Sequence, residues 1–566
     1  MSERTPLLAS QQAQADSDRV RAESAISLSI DPNASAFDAF REPIQEEDEA
    51  GDEEEQVTHQ EEPMRPDLLI VLAALWIGSF IAALDGTVVA TTLSVIGSEF
   101  HVSKSISWVG TSYLLSQSAC QPLYGKASDI FGRKPATLFA SVVFLLGSLA
   151  CGLAKTYPQL IAARTFAGAG GGGLTTMASI VTSDLVPLRR RGVYQGLGNV
   201  VYAFGAAIGG PLGGWLGDGI GWRWAFLVQL PLCALHFAGV YWKVDIPSGP
   251  GSMSEKLKRV DYLGSLTLVS SIALLLIGLS LGGNEMPWGS PTVYGTIIGG
   301  LAMLGVFVLV ETKFASNPIC APRILFAKTP LFVSLTNWFA SMAQFAILYS
   351  VPLYFSAVKE TTTSKAGLFL IPNAIMASSV SLGAGLLMAR TGKYKTLLII
   401  CGVLGVAGPL AMCFWDRRRT PEWGFWLTMI PGGSGFGGII TVSLVALISA
   451  LDPVDMAAGT GVSYLFRATG SVLGISLSTS ILQNTLARRL PQFIKGEGAT
   501  EIIEQIRADV GYIRELPASL KIEAIQTYEY AFRLVFVFTT IAAALALGSI
   551  FGVGAHNLPG RLDRKK

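Results

Sequence analysis

The chain has 566 residues, half of them hydrophobic and 15% charged; soluble domains carry about 25% charge, so most of this sequence belongs in lipid. Net charge is only +1, with acids gathered in residues 46–62 and basic residues in short loops farther on, which argues against nucleic acid as a partner. Its six cysteines show no disulfide-framework or metal spacing, and no phosphate-cradling Gly-Lys-Ser loop or paired catalytic carboxylates occur, so metal sites, enzyme chemistry and ATP-driven pumping have no residues to carry them.

Residues 1–66 lack any apolar run, so no cleavable signal peptide is visible and the first span must direct insertion. Their polar, acidic composition predicts a disordered tail. Beyond it lie fourteen apolar segments of roughly 20 residues, the length a membrane-crossing helix needs. They fall near 68–95, 106–124, 136–154, 158–183, 193–216, 222–242, 263–281, 293–310, 331–355, 366–389, 396–415, 424–450, 459–482 and 531–553. An even number puts both termini on one side, and the bias of Lys and Arg makes that side cytosolic. The stretch 483–530 then faces the other compartment, where its mixed charges and recurring Ile, Leu and Tyr predict a helical hairpin lying on the surface.

In the first span, Asp85 is an acid near the bilayer centre, where insertion costs roughly 2.5–3.5 kcal/mol. Desolvation should raise its pKa, making it a group for a proton or a cationic substrate; the alternative is an ion pair with Arg164 or Arg467. Next comes Gly125-Lys126-Ala127-Ser128-Asp129-Ile130-Phe131-Gly132-Arg133-Lys134, read as a short polar gate loop in which Gly125 and Gly132 permit the turn and Asp129 caps a helix or pairs with Arg133. Positive-inside topology alone would explain Arg133 and Lys134. A weaker copy, 385–395, carries Ala389 where the acid stood, and the repeat points to a transporter of two related halves. Arg164 precedes four consecutive glycines, Gly170 to Gly173, which permit close helix approach or a local break. Gly210-Pro211-Leu212-Gly213-Gly214 predicts a kink or a tight packing seam. His236 and Trp338 read as packing residues, and Arg467 is a second intramembrane cation suited to a substrate carboxylate or to Asp85.

Taken together, the loop 125–134, the Arg164 segment, Gly210-Pro211 with Gly213-Gly214, and Gly221-Trp222-Arg223-Trp224-Ala225-Phe226 resemble the major facilitator superfamily, specifically its fourteen-span drug:proton antiporter branch. The resemblance covers nearly everything after residue 66. It implies an all-α integral membrane protein with two six-helix bundles, 67–243 and 329–554, and two additional central spans within 244–328. The cytosolic tails would be 1–66 and 555–566, and the protein would work as a monomer. Leu84-Asp85-Gly86-Thr87-Val88-Val89-Ala90 is similar to the branch's first-span motif, which implies a proton-coupling role for Asp85. Arg164 matches the fourth-span arginine, although Ala167 replaces the usual glutamine. Ala389 implies a weaker gate in the second half. The Arg164 variant with Ser183-Asp184-Leu185-Val186-Pro187-Leu188-Arg189 is most similar to fungal vacuolar amino acid and multidrug transporters.

That resemblance implies proton-driven antiport of basic amino acids into the vacuole, with the proton as coupling ion and no cofactor. Drug efflux at the plasma membrane and a non-transporting nutrient receptor are the alternatives. In the tail, Glu3, Leu7 and Leu8 fit the acidic-dileucine pattern E-x-x-x-L-L that sorting adaptors read.

Overall fold

The computed structural model describes residues 67–555, apart from 101–105, 107, 247–251, 283–285, 316–317, 320–325, 362, 496–497 and 509. Glu3, Leu7 and Leu8 and both tails, save residue 555, therefore lie outside the described residues.

Among the described residues there is no β-strand, and fourteen long helices dominate. In lipid only a helix or a closed barrel satisfies every backbone N–H and C=O. The first half holds α1 (Leu68–Phe100), α2 (Trp108–Phe131), α3 (Arg133–Leu153), α4 (Tyr157–Leu185), α5 (Leu188–Gly219) and α6 (Trp224–Lys243), the last interrupted by a turn at Val228 and Gln229. Then come α7 (Tyr262–Leu281) and α8 (Pro291–Lys313). The second half holds α9 (Lys328–Ala357), α10 (Ile371–Thr391), α11 (Lys395–Met412), α12 (Glu422–Ser449), α13 (Met456–Phe493) and α14 (Ala518–Gly552).

Twelve of these are long and apolar enough to cross a membrane, against the fourteen spans expected from the sequence. The two that fall short, α2 and α4, have 24 and 29 residues and lose on composition, not length. Lys126 and Asp129 lower the apolarity of α2, and Arg164 with a run of glycines does so in α4. Both helices sit inside the first bundle, where protein replaces lipid as their surroundings.

The internal repeat is visible in the packing. In the first half α1 packs on α5, while α2 and α3 both pack on α4; in the second, α9 packs on α13, while α10 and α11 both pack on α12. The halves meet through α2 against α13 and α5 against α10, and α7 pairs with α8 beside α2. Helix α4 runs unbroken through Gly170 to Gly173. A Cβ at Gly170 would stand 2.3 Å from the Phe144 backbone nitrogen, and one at Gly172 2.6 Å from the Gln117 carbonyl oxygen. The four glycines therefore serve close packing, and no break occurs.

The far-side segment also differs from expectation. Helix α13 continues to Phe493 and α14 begins at Ala518; between them stand a ten-residue helix, Ala499–Ala508, and a 3-10 turn, Val510–Glu515. Ile506, Ile513 and Leu516 are buried in the same core cluster as Tyr354, Trp415, Phe425 and Phe536. The recurring apolar residues of this segment cap the second bundle and do not lie on a surface. Arg514 donates to the backbone oxygens of Glu360 and Thr361, at 3.2 and 2.7 Å, and Glu360 pairs with Arg417 at 2.9 Å and with Lys521.

Candidate functional site

The expected polar loop 125–134 is almost entirely helical. Helix α2 runs to Phe131, α3 starts at Arg133, and Gly132 alone makes the turn, with φ of 102°, a conformation that glycine adopts without a Cβ clash. Gly125 has a different task. A Cβ there would stand 2.7 Å from the Ala457 carbonyl oxygen, so its absence lets α2 reach α13 of the other half. Arg133 bridges two acids, donating to Asp129 Oδ1 and Asp184 Oδ2, both at 2.6 Å, and to Ser128 Oγ at 2.8 Å. The bridge ties the ends of α2, α3 and α4 together. Lys134 lies 5.3 Å from the centroid of the Tyr241 ring. Asp184 carries half of this arrangement although sequence reasoning placed it only in a family segment; its distance of 51 residues from Arg133 hid the pairing.

The second-half copy works through backbone. Arg189, at the start of α5, donates from Nε to the Ala389 carbonyl at 2.8 Å and from Nη2 to the Arg390 carbonyl at 3.1 Å. A cation at the open carbonyls of a helix C-terminus is favoured by both hydrogen bonding and the helix dipole. Ala389 thus contributes to closure without an acidic side chain. Beside it, a Cβ at Gly385 would stand 2.3 Å from the Gly192 carbonyl oxygen. Asn199 Nδ2 adds bonds to Ser381 Oγ at 2.9 Å and Thr441 Oγ1 at 3.2 Å. The bonds of Arg189 and Asn199 thus join the halves at this end and at mid-bundle. This is the gate end, and it is shut.

Toward the opposite end, Asp85 is fully enclosed at 0% exposure and forms an ion pair with Arg164 Nη1 at 2.7 Å. Gln229 Nε2 donates to its other oxygen at 3.2 Å. Arg164 Nε donates to the Val109 carbonyl at 3.0 Å, and its guanidinium lies 4.3 Å from the Tyr113 ring centroid. Of the two partners weighed for Asp85, Arg164 is the one present. The turn that interrupts α6 puts Gln229 against Asp85, an arrangement no local sequence pattern announces.

A central cavity of about 260 Å³ opens between the halves. Helices α1, α2, α4 and α5 line it from one side, α9, α10, α12 and α13 from the other. Arg467 is the one charged residue in its lining, its guanidinium 4.5 Å from the Tyr464 ring centroid. Gln117, Gln121, Gln195 and Asn199 supply amides. Tyr202 of α5 also lines the cavity. Neither Asp85 nor Arg164 lines it.

The Gly210-Pro211-Gly213-Gly214 segment lies within the continuous helix α5. Gly213 is a seam residue, because a Cβ there would stand 2.6 Å from the Val88 carbonyl oxygen of α1, whereas Gly214 faces open space and Gly210 makes only a distant contact. At the end of the first half away from the gate, Glu99 accepts from Trp222 Nε1 at 2.6 Å and from Arg223 at 2.8 Å. The Arg223 hydrogen bond holds the Glu99 carboxyl below its usual range, against the opposing effect of burial.

Comparison with known proteins gives a consistent answer. The sequence model described as Major Facilitator Superfamily matches residues 75–475. Multidrug resistance protein fnx1 of Schizosaccharomyces pombe is 39% identical over 492 residues, 86% of this chain and 93% of that protein. The vacuolar membrane amino acid uptake transporter fnx2 of the same yeast is 37% identical, covering 80% of this chain and 78% of its own. Vacuolar basic amino acid transporter 2 of Saccharomyces cerevisiae is 31% identical, covering 78% and 96%. Among solved structures, the proton:xylose symporter XylE superposes with a TM-score of 0.51 at 14% identity, over 84% of this chain and 94% of its own, a likeness of fold alone.

Proposed function

This chain belongs to the major facilitator superfamily, and on that premise we propose that it moves amino acids into the vacuole by alternating access, in exchange for protons. The central cavity carries the reading. Bonds between the halves cross the end bearing the basic loops, and the cavity is lined by a lone guanidinium among amides and hydroxyls. Its volume of about 260 Å³ lies below the ~300–1,000 Å³ of pockets that hold drug-sized ligands, which favours a solute of amino-acid size.

Asp85 is the proton-coupling candidate. Protonating it would leave Arg164 without a counter-charge and loosen the tie between α1 and α4, a local change that a rocking bundle can amplify. A cationic substrate at Asp85 would have to displace Arg164 from an enclosed site, so the proton and the substrate are better assigned to different places. Selection among amino acids, of which basic ones are named for one relative, would then rest on the cavity and not on Asp85.

Uptake of a panel of radiolabelled amino acids and lipophilic cations into acidified vacuolar vesicles tests the reading. Accumulation of amino acids that collapses when the pH gradient is dissipated is the expected result. Export of drugs across the plasma membrane is the second reading, favoured by the name of the 39% identical relative. A nutrient receptor would bind an amino acid in the same vesicles without accumulating it.

A further inference from the structure

The charge inventory of the central cavity specifies which amino acids it holds. Arg467 projects from α13 with its guanidinium against Tyr464, and among the described residues it forms no ion pair. A half-buried guanidinium costs desolvation that only an anion fully offsets, and a carboxylate matches its planar fork of donors. In the same lining, Gln121 of α2, the helix packed against α13, is 4% exposed and its Oε1 has no hydrogen-bond partner. A buried acceptor left unpaired costs roughly 1–3 kcal/mol, so it is a place prepared for a donor. No carboxylate lines the space, and Asp85 is sealed behind its pair with Arg164.

We propose that the cavity binds net-neutral α-amino acids, with the substrate carboxylate on Arg467 and the α-ammonium on the amide oxygen of Gln121, and discriminates against substrates with a surplus positive charge. A zwitterion satisfies both groups and leaves no charge uncompensated. L-lysine or L-arginine would bring a second cation into a cavity whose fixed charge is already positive, with no acid to receive it. A lipophilic cation would leave Arg467 unpaired and add repulsion. The discrimination therefore runs opposite to what a carboxylate-lined drug site would give.

The inference rests on the amino acid transport reading, and the test separates the two. Wild-type protein in proteoliposomes with an imposed pH gradient is given labelled L-alanine, with L-glutamine, L-alaninamide, L-lysine and tetraphenylphosphonium as competitors and, separately, as labelled substrates. L-glutamine is expected to compete at concentrations near its own KM, while L-alaninamide and L-lysine require at least tenfold more. Arg467→Gln should raise the KM for L-alanine at least tenfold, and Arg467→Lys should recover part of that loss. The competition arm needs no variant, so it stands even if Arg467→Gln fails to fold; thermal stabilisation of the detergent-purified wild type by L-alanine but not by L-alaninamide gives a second readout. Equal competition by L-alaninamide or L-lysine, or an unchanged KM in folded Arg467→Gln protein, overturns the inference while leaving amino acid transport intact. Accumulation of tetraphenylphosphonium with no amino acid uptake overturns both.

Discussion

Replacing Asp85 by Asn should damage stability as well as coupling. At 2.7 Å and an effective dielectric constant of about 20, the Asp85–Arg164 attraction is about 6 kcal/mol before desolvation is charged against it. Removing one partner of a buried pair typically costs about 3–5 kcal/mol, because the remaining charge stays buried. Asn keeps the shape and can still accept from Arg164 or Gln229, which puts Asp85→Asn near the lower end, about 3 kcal/mol. Arg164→Gln should cost a similar amount, whereas the double variant has no charge left to strand and should recover at least half of the loss. Thermal unfolding of the four purified proteins in detergent, with uptake into proteoliposomes alongside, gives the cycle. All three variants should lose proton-driven accumulation. Wild-type stability in Asp85→Asn, or strictly additive losses in the double variant, would refute the claim that the two charges hold each other.

The closed gate depends on missing side chains, so Gly385→Val, whose Cβ would stand 2.3 Å from the Gly192 carbonyl oxygen, should hold the gate end open. Labelling of a Ser381→Cys reporter by an impermeant thiol reagent from that side, on a background lacking native cysteines, should rise several-fold. Asp184→Asn removes one of the two acids on Arg133 and should shift the gate equilibrium by roughly 1 kcal/mol, about fivefold, lowering transport rate with little change in KM. Asp129→Asn should behave alike. Glu99 has a depressed carboxyl pKa, so its contribution is complete above the unfolded value of 4.5 and is lost as pH falls through the folded value. The Tm difference between wild type and Glu99→Gln should therefore be constant above pH 4.5 and shrink below it. In the tail, Leu7→Ala with Leu8→Ala should divert a C-terminal fluorescent fusion to the plasma membrane if the dileucine pattern is read by an adaptor, without altering Tm.

What the sequence made legible follows from locality. Apolar runs announce helices through composition alone, and the Gly125 and Gly385 copies announced two related halves, which the paired packing of α2 with α4 and α10 with α12 displays. Contacts that join distant segments left no such trace. Asp184 meets Arg133 across 51 residues and Gln229 meets Asp85 across 144, and no periodicity records either. Glycine was ambiguous for a physical reason: the same absent Cβ permits a turn at Gly132, a close approach at Gly125 and nothing visible at Gly214. The segments of α2 and α4 read as spans from their apolar runs even though charges lower their apolarity: Arg164 is walled in by protein, while Lys126 and Asp129 stand at the gate end of α2.

Interaction strength is distributed as a rocking mechanism requires. Inside the first half these charges are paired: Asp85 with Arg164 in full burial, and Arg133 with the partly exposed Asp129 and Asp184 at the helix ends. Between the halves, contact at the gate rests on glycine backbone and on hydrogen bonds from Arg189 and Asn199 to carbonyls and hydroxyls, each worth roughly 1 kcal/mol net. A few such bonds can be broken and remade within a turnover; a buried ion pair across the seam could not be without stalling it. Coupling must then travel from the sealed pair to the seam through packed helices. Helix α4 offers the route, because it carries Arg164 toward one end and Thr175 and Ser179 in the cavity wall. On the function proposed above, a change in the charge of Asp85 would reach the cavity wall along α4, and the proton and the substrate would never need to occupy one site.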